Sequence, residues 1–293
     1  MSRSQASYFM LERVFGRGLL WRVGRWLYCG ARREFTSNLA ANGEYALQER
    51  VAAHLAKSDR QPVILDIGAN LGGWSRPFGE ALRAAGAKEA HLVAFEPGPG
   101  QRERLGVNLQ GAPGFGQIDI LPYAVAAENG TAEFVLTGES TGNSGLMPSG
   151  GRPSESADIV EVETRTLDSL MSDLGLAEVD FVKVDTEGND PNVLTGAKET
   201  LASGRIGCLQ FEYNYLWLHN RFSLLDIYKF VDGLDYRVGK VAPHGIEIYD
   251  SWHFELDRYV MANFVLLRTD LVEALDARAF RFDPANVPVA ATD

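Results

Sequence analysis

Val63-Ile64-Leu65-Asp66-Ile67-Gly68-Ala69-Asn70-Leu71-Gly72-Gly73 is the stretch whose reading decides the fold. A short apolar run gives way to a glycine-rich turn, and Trp74, Phe78 and Leu82 follow at helical spacing. In an open α/β sheet, ligands bind where the carboxyl ends of strands meet such turns. Glycine belongs there because a Cβ would keep the backbone away from a ligand. Outward from this unit the same alternation continues. His91 to Phe95 reads as a second strand, followed by a helix near 99–109 and a third strand near 118–125. Two β-rich runs lie at 131–137 and 158–165, and Val179 to Val184 is a fourth principal strand. One helix is then expected, with Pro191 at its first position, Val193, Leu194, Ala197 and Leu201 on one face, and Gly204 closing it. Strands near 207–213, 235–241 and 259–267 complete the pattern. It predicts an α/β protein with a Rossmann-like, mostly parallel sheet covered by helices on both faces. Residues 1–40 read as a helical extension, 41–268 as the α/β domain, and 269–293 as a C-terminal helix and tail.

The composition narrows the class. With 293 residues, 45% of them apolar and 23% charged, the chain is long enough to bury a core without disulfide or metal staples. No run approaches the ~18 apolar residues of a membrane span. Arg13, Arg17, Arg22 and Arg25 interrupt the apolar character that a signal peptide needs. Cys29 and Cys208 are too far apart for a zinc finger or a disulfide framework. A reduced, cytoplasmic protein is expected. The net charge of -11 disfavours a nucleic-acid partner. That charge is uneven, since residues 1–35 hold seven Arg against Glu12 and Glu34, a net +5, which leaves -16 for the remainder. The same segment is aromatic, and Tyr8, Leu11, Phe15, Leu19, Val23 and Trp26 recur at helical spacing. It reads as a helix packing on the domain or on a second subunit of a homo-oligomer, or as a patch for an anionic membrane surface or lipid-linked substrate. Residues 138–157 contain five Gly and five Ser, which predicts a surface loop or a lid.

Spacing at the glycine turn selects the ligand. A dinucleotide fingerprint wants G-x-G-x-x-G, whereas here Asn70 takes the second glycine's place and Asp66 precedes the first. An acid there sits awkwardly against a pyrophosphate but suits the ammonium of an amino-acid moiety, which points to S-adenosylmethionine. Phe95-Glu96-Pro97 ends the next strand, and a carboxylate at that place can accept hydrogen bonds from both ribose hydroxyls. Gly68, Ala69, Gly72, Pro97 and Ala124 complete the expected cofactor contacts. NAD enzymes share the ribose acid, so an NAD-dependent oxidoreductase stays open as an alternative, as does a non-catalytic S-adenosylmethionine-binding module. In Asp180 to Asp190, Lys183 and Asp185 alternate with apolar neighbours and face one side of their strand. A lysine inside a buried strand is costly unless paired or facing a site. Asp185 and Glu187 fall at the carboxyl end of this strand, and Glu212 at the end of the following one.

Asp-Ile-Gly-Ala-Asn at 66–70, Phe-Glu-Pro at 95–97, Thr-Leu-Asp-Ser-Leu at 166–170 and Asp-Phe-Val-Lys-Val-Asp-Thr-Glu-Gly at 180–188 together resemble the FkbM-type methyltransferases over roughly residues 40–268. The resemblance implies a class I S-adenosylmethionine fold and O-methylation of a hydroxyl on a sugar, polysaccharide or secondary metabolite, with a glycolipid among the acceptors. Family members often carry His after the Glu-Gly pair, where this chain has Asn189, so no base is expected there.

Methyl transfer to an alcohol requires alignment and loss of a proton. Asp185 is the first candidate base and Glu187 the second, with Lys183 to hold the carboxylate ionised or stabilise a developing alkoxide. His219 and His244 are further candidates, and Glu212 and Tyr213 are candidate acceptor contacts. Asp185, Glu187, Asp190 and Glu212 could instead gather a divalent cation such as Mg²⁺, a reading not favoured over carboxylates serving turns and salt bridges. Phe211, Tyr213, Tyr215, Trp217 and Trp252 are candidates for a sugar-stacking wall, with core packing the commoner fate for such residues.

Overall fold

The computed structural model describes residues 3–34, 38–136, 144–147 and 158–291. The chain opens with helices α1 (Arg3–Phe15) and α2 (Arg17–Arg32), broken at Gly16, and then α3 (Glu44–Leu55). Strand β1 (Val63–Ile67), helix α4 (Ser75–Ala85), β2 (Ala90–Phe95), α5 (Pro99–Leu109) and β3 (Phe115–Leu121) form the first half of the α/β unit. Three short connections follow: β4 (Ala124–Val125), β5 (Gly130–Leu136) and β6 (Gly145–Leu146), then β7 (Asp158–Arg165) and α6 (Leu167–Asp173). The second half runs through β8 (Val179–Val184), α7 (Asp190–Thr195), α8 (Lys198–Ala202), β9 (Ile206–Tyr213), α9 (Leu224–Phe230), β10 (Tyr236–Ala242), β11 (Gly245–Ile248) and β12 (Ala262–Arg268). Strands β13 (Arg278–Phe282) and β14 (Pro288–Ala290) finish the described chain.

Ten strands make one sheet in the order β14-β13-β11-β10-β12-β9-β8-β1-β2-β3. The five from β3 to β9 are mutually parallel. In chain order they run 3-2-1-4-5, the doubly wound arrangement that reverses direction between β1 and β8. Antiparallel β12, β10 and β11 extend the sheet past β9. Alternation within each strand divides the core in two. Leu65, Ile67, Val182, Val184 and Leu209 face α6, α7 and α9, while Ile64, Phe181, Cys208, Val265 and Leu267 face α3 and α4. A second sheet, β4-β7-β5-β6, gathers the β-rich runs at 131–137 and 158–165 beside the first. Of the expected 138–157 loop or lid, Ser144 to Met147 are described, with β6 inside them; its remainder lies outside the described residues.

Three expectations are corrected. The single helix after Pro191 is two, because Gly196 lies so close to the Ala126 carbonyl that a Cβ would collide, and the chain turns there before restarting at Lys198. The closing segment is a single 3-10 turn, Thr269–Leu271, and then β13 and β14, rather than a helix and tail. In Arg278 to Phe282 exposed Arg281 lies between half-buried Phe280 and Phe282, a strand period that the exposed Arg278, on the side of the two rings, masks. The N-terminal apolar face is not continuous either, since Gly16 at φ 73° ends α1 and re-phases α2.

The turn after β1 is clamped on both sides. The N–H groups of Gly68 and Ala69 both donate to the Phe95 carbonyl, and Asp185 N–H donates to the Ile67 carbonyl, each at 3.0 Å. Gly68 has φ 81°, and a Cβ on it would run into the Asp185 carbonyl oxygen. Gly73, in the same loop, has open space. Gly68→Ala is therefore expected to lower stability by about 2 kcal/mol or more, from the left-handed φ and the collision together. Gly73→Ala should stay within about 0.5 kcal/mol. Urea denaturation midpoints of the two variants check this contrast.

Candidate active site

The carboxyl ends of β1, β8 and β9 and the amino end of antiparallel β12 carry polar side chains on one face of the sheet, the face under α3. Cross-strand register pairs Asp66 with Lys183, Lys183 with Gln210, and Glu212 with Asn263. Lys183 is 2% exposed. Its Nζ lies 3.2 Å from Asp185 Oδ2, 3.6 Å from Glu44 Oε2 and 3.5 Å from Asn263 Oδ1. Glu44 enters from the first turn of α3 and accepts hydrogen bonds from Gln210 Nε2 (2.6 Å), Asn263 Nδ2 (3.0 Å) and Asn42 Nδ2 (2.7 Å). Burial by itself would lower the pKa of the ammonium. Asp185, Glu44, Glu212 and Asp190 outweigh it and hold Lys183 above the usual lysine range.

The carboxylates around this cation are in unlike states. Burial raises Glu212 to about 9, with Asp185, Asp190 and Glu187 adding to the effect and Lys183 opposing it. Glu187 and Asp190 are each pushed to about 7, chiefly by burial and then by Asp185. Asp185 itself keeps an open side toward solvent, its side chain 39% exposed.

A cavity of about 950 Å³ opens over this face, lined by Asp66, Gly68, Ala69, Asn70, Trp74, Lys183, Asp185, Glu187, Glu212, Tyr215 and His219 among others. Its far wall comes from the N-terminal segment, including Arg33, Glu34 and Asn42. A second cavity of about 190 Å³ runs along the end of β2, with Glu96, Pro97, Gln101, Tyr123, Ala124 and Asn189 in its walls. Gly68, Asn70, Leu146, Asp185 and Glu187 line both, so the two are halves of one cleft over the switch point. Glu96 is aimed by its own turn: Asn70 N–H donates to Oε2 and Gly98 N–H to Oε1, both at 2.8 Å. Burial raises its pKa against the pull of those two donors. Asp66 is fully buried and accepts a hydrogen bond from Ser75 Oγ at 2.5 Å, and burial lifts it to about 7.

The sequence-derived residues fall into place unequally. Asp66, Gly68, Ala69, Asn70, Glu96, Pro97, Ala124, Lys183, Asp185, Glu187, Glu212 and His219 all line the cleft. Gly72 does not: with φ 81° it packs against Leu105 and Leu109 of α5, so it lets that helix approach. Tyr213 is 1% exposed, its hydroxyl donating to Asp257 at 2.7 Å, and belongs to the core with Phe211 and Trp217. Of the five aromatics weighed as a wall, Tyr215 lines the cavity. His244 sits outside it, between Arg33 and Glu247, where burial and then Arg33 lower its pKa. Asn189 is held by its bond to the Val125 carbonyl at 3.1 Å. Among the described residues no three His, Cys, Asp or Glu side chains are grouped as metal ligands would be. Glu44, Gln210 and Asn263 went unanticipated. A polar residue amid buried strand positions, as Gln210 and Asn263 are, was the available signal.

With this geometry in view, the comparisons with known proteins converge. Residues 66–238 match the Methyltransferase FkbM domain, and the chain belongs to that family; it is a methyltransferase. It is 30% identical over 188 residues to the 2-O-methyltransferase NoeI of Sinorhizobium fredii, covering 59% of this chain and 72% of that one. It is 25% identical over 156 residues to the hexuronic acid methyltransferase AglP of Haloferax volcanii, covering 53% of this chain and 58% of that one. Among solved structures, the FkbM methyltransferase of Methylobacillus flagellatus KT superposes with a TM-score of 0.44 at 14% identity, covering 85% of this chain and 60% of that one. Family membership sets aside the oxidoreductase alternative.

The state of Glu212 has a consequence for stability. Folded Glu212 binds its proton more tightly than the unfolded chain does, so its contribution is full below the ordinary carboxylate value of about 4.3. That contribution is lost as pH rises through about 9. The urea midpoint of the wild type should fall between pH 6 and pH 9, and the fall should be clearly smaller in Glu212→Gln, which has no proton to lose.

Proposed function

We propose that this chain moves a methyl group from S-adenosylmethionine to a hydroxyl of a sugar or glycosylated metabolite, with Asp185 as the base. The observation that carries the reading is Asp66. A carboxyl buried at the cleft wall, satisfied by a serine hydroxyl and lifted to about 7 by burial, is short of a cation, which the ammonium of an amino-acid moiety would supply. Glu96, oriented by two backbone N–H groups, keeps lone pairs for two ribose hydroxyls. Tyr123, Ala124 and Val125 offer the neighbouring walls to an adenine. S-adenosylmethionine would supply an electrophilic methyl carbon on a sulfonium.

The chain's own residues then have three tasks. The larger cavity holds the acceptor among Asn42, Asn214, Tyr215 and His219, groups suited to hydroxyls and to a sugar face. The names of NoeI and AglP, which speak of 2-O-methylation and of a hexuronic acid, favour a saccharide there. Lys183 positions Asp185 through their 3.2 Å hydrogen bond, and Asp185 takes the hydroxyl proton. Glu212, lifted to about 9, is a proton donor at neutral pH and fits a hydrogen bond to an acceptor oxygen rather than the base role. Glu187, at about 7, is half neutral and stands second to Asp185.

Calorimetric titration with S-adenosylhomocysteine, with NAD as control, tests the cofactor half. Micromolar binding is expected, weakened ten- to hundredfold by Glu96→Ala, which removes two charge-assisted hydrogen bonds. Because Asp66 is lifted to about 7 before binding, pairing with an ammonium should release about half a proton at pH 7. The heat should therefore vary with the ionisation enthalpy of the buffer, and this variation should vanish in Asp66→Asn. Binding of NAD without S-adenosylhomocysteine would sink the proposal. For the chemical half, Asp185→Asn should lower turnover of a saccharide acceptor by about 10² or more while leaving the affinity for S-adenosylhomocysteine within a few-fold.

A further inference from the structure

The proposed reaction uses nothing of α1 and α2, which carry the densest set of exposed large apolar side chains on the described surface: Phe9, Met10, Val14 and Phe15 on α1, and Leu19, Trp21, Val23, Trp26 and Leu27 on α2. No residue of α2 is buried. The helix is nevertheless fixed to the body at its C-terminal end. Tyr28 Oη donates to Glu255 Oε2 at 2.7 Å, Arg32 Nη1 to the same oxygen at 2.8 Å, and Lys240 Nζ to the Arg32 carbonyl at 3.2 Å. Tyr28 and Arg32 are four residues apart and mark the side of α2 that faces the body. At 3.6 residues per turn, Leu19, Val23 and Trp26 lie on the far side of the helix from them, with Leu27 at the edge of that arc. The apolar stripe is thus aimed away from the protein by the same contacts that hold the helix in place. Arg22 borders the stripe beside Trp26, and Arg17 and Arg25 lie nearer the body-facing side.

We infer that α1 and α2 form a dock for an anionic lipid surface. An exposed apolar stripe that holds Trp26 and is bordered by Arg22, whose stem can lie along it, is the pattern of a helix lying in the plane of a membrane interface. Neither helix is long and apolar enough to cross a membrane. The charge agrees: residues 1–35 carry +5 on a chain whose remainder carries -16, so this segment alone is attracted to anionic headgroups while the body is repelled. The dock is also joined to the cleft, because Arg33 and Glu34, which follow α2 directly, line the larger cavity. Docking would hold the acceptor side of the cleft at the lipid surface. The docking does not depend on the proposed reaction, so each can fail separately.

Co-sedimentation of the full chain with vesicles tests it. Vesicles of phosphatidylcholine with about a third phosphatidylglycerol should bind the chain at least tenfold more tightly than phosphatidylcholine alone, and 0.5 M NaCl should reverse most of that gain. Trp26→Ala with Leu27→Ser, and separately Arg22→Glu with Arg25→Glu, should each weaken binding at least tenfold. Both pairs should leave the affinity for S-adenosylhomocysteine unchanged, which also reports that the body is folded. Equal binding of the variants and the wild type would overturn the inference. So would absence of vesicle binding, whether the chain is then a monomer by light scattering or a dimer that Trp26→Ala with Leu27→Ser dissociates; the latter result would assign the stripe to a second copy.

Discussion

An ammonium sealed inside a parallel sheet is the constraint around which this molecule is arranged. Taking Lys183 out of water costs several kcal/mol unless counter-charges meet it in good geometry. Asp185 answers from the same strand, Glu44 from α3, and Asn263 from a strand that runs the opposite way. Glu44 has a second duty, accepting from Gln210 and Asn263, so three strands and a helix are tied at one point. The position of α3 over the sheet, the register of β8 with β9, and that of β9 with β12 all have to be right for this group to be satisfied together. A slip of one residue would turn Lys183 into the opposite apolar layer.

The same arrangement sets the chemistry of its neighbours. Four carboxyl groups, Asp185, Glu187, Asp190 and Glu212, share the field of one cation, and they differ in how much water reaches them. Glu212 is pushed furthest toward its neutral form, by burial and by the charges of Asp185, Asp190 and Glu187 together. Asp185, hydrogen-bonded to Lys183, keeps part of its side chain open to the cavity. Groups of one chemical kind are thus set apart by environment alone.

Much of this was legible in the chain. The strand–turn–helix at 63–82, the Glu96 turn and the same-sided pair Lys183 and Asp185 follow from local signals: glycine placement, a strand's period of two, and apolar runs of strand length. What stayed hidden depends on contacts between distant segments. Glu44 looks like an ordinary first-turn acid, and its partners Gln210 and Asn263 lie 166 and 219 residues away. Tyr213 shares the alternation of its strand, yet which face meets the cleft was decided by the register with β12, which sends it into the core. The break between α7 and α8 comes from the close approach of a backbone carbonyl at Gly196, and no propensity records that. Strand β13 was obscured by Arg278 and Arg281, which leave Phe280 and Phe282 as its half-buried positions.

The reach of Glu44 also separates two meanings of the word domain. The stretch that matches the family begins at Asp66 and ends at Val238. Glu44, one of the two carboxylates paired with Lys183, lies before that stretch, and Asn263, which contacts both Glu44 and Lys183, lies after it. A fragment cut to the family's limits would keep the buried ammonium and lose two of its partners, and breaking one side of a buried ion pair typically costs about 3–5 kcal/mol. That is a large part of the stability of a whole domain. For this chain the smallest autonomous folding unit is therefore wider than the unit of homology, and α3 and β12 are as much a part of the catalytic core as the strands that carry its motifs.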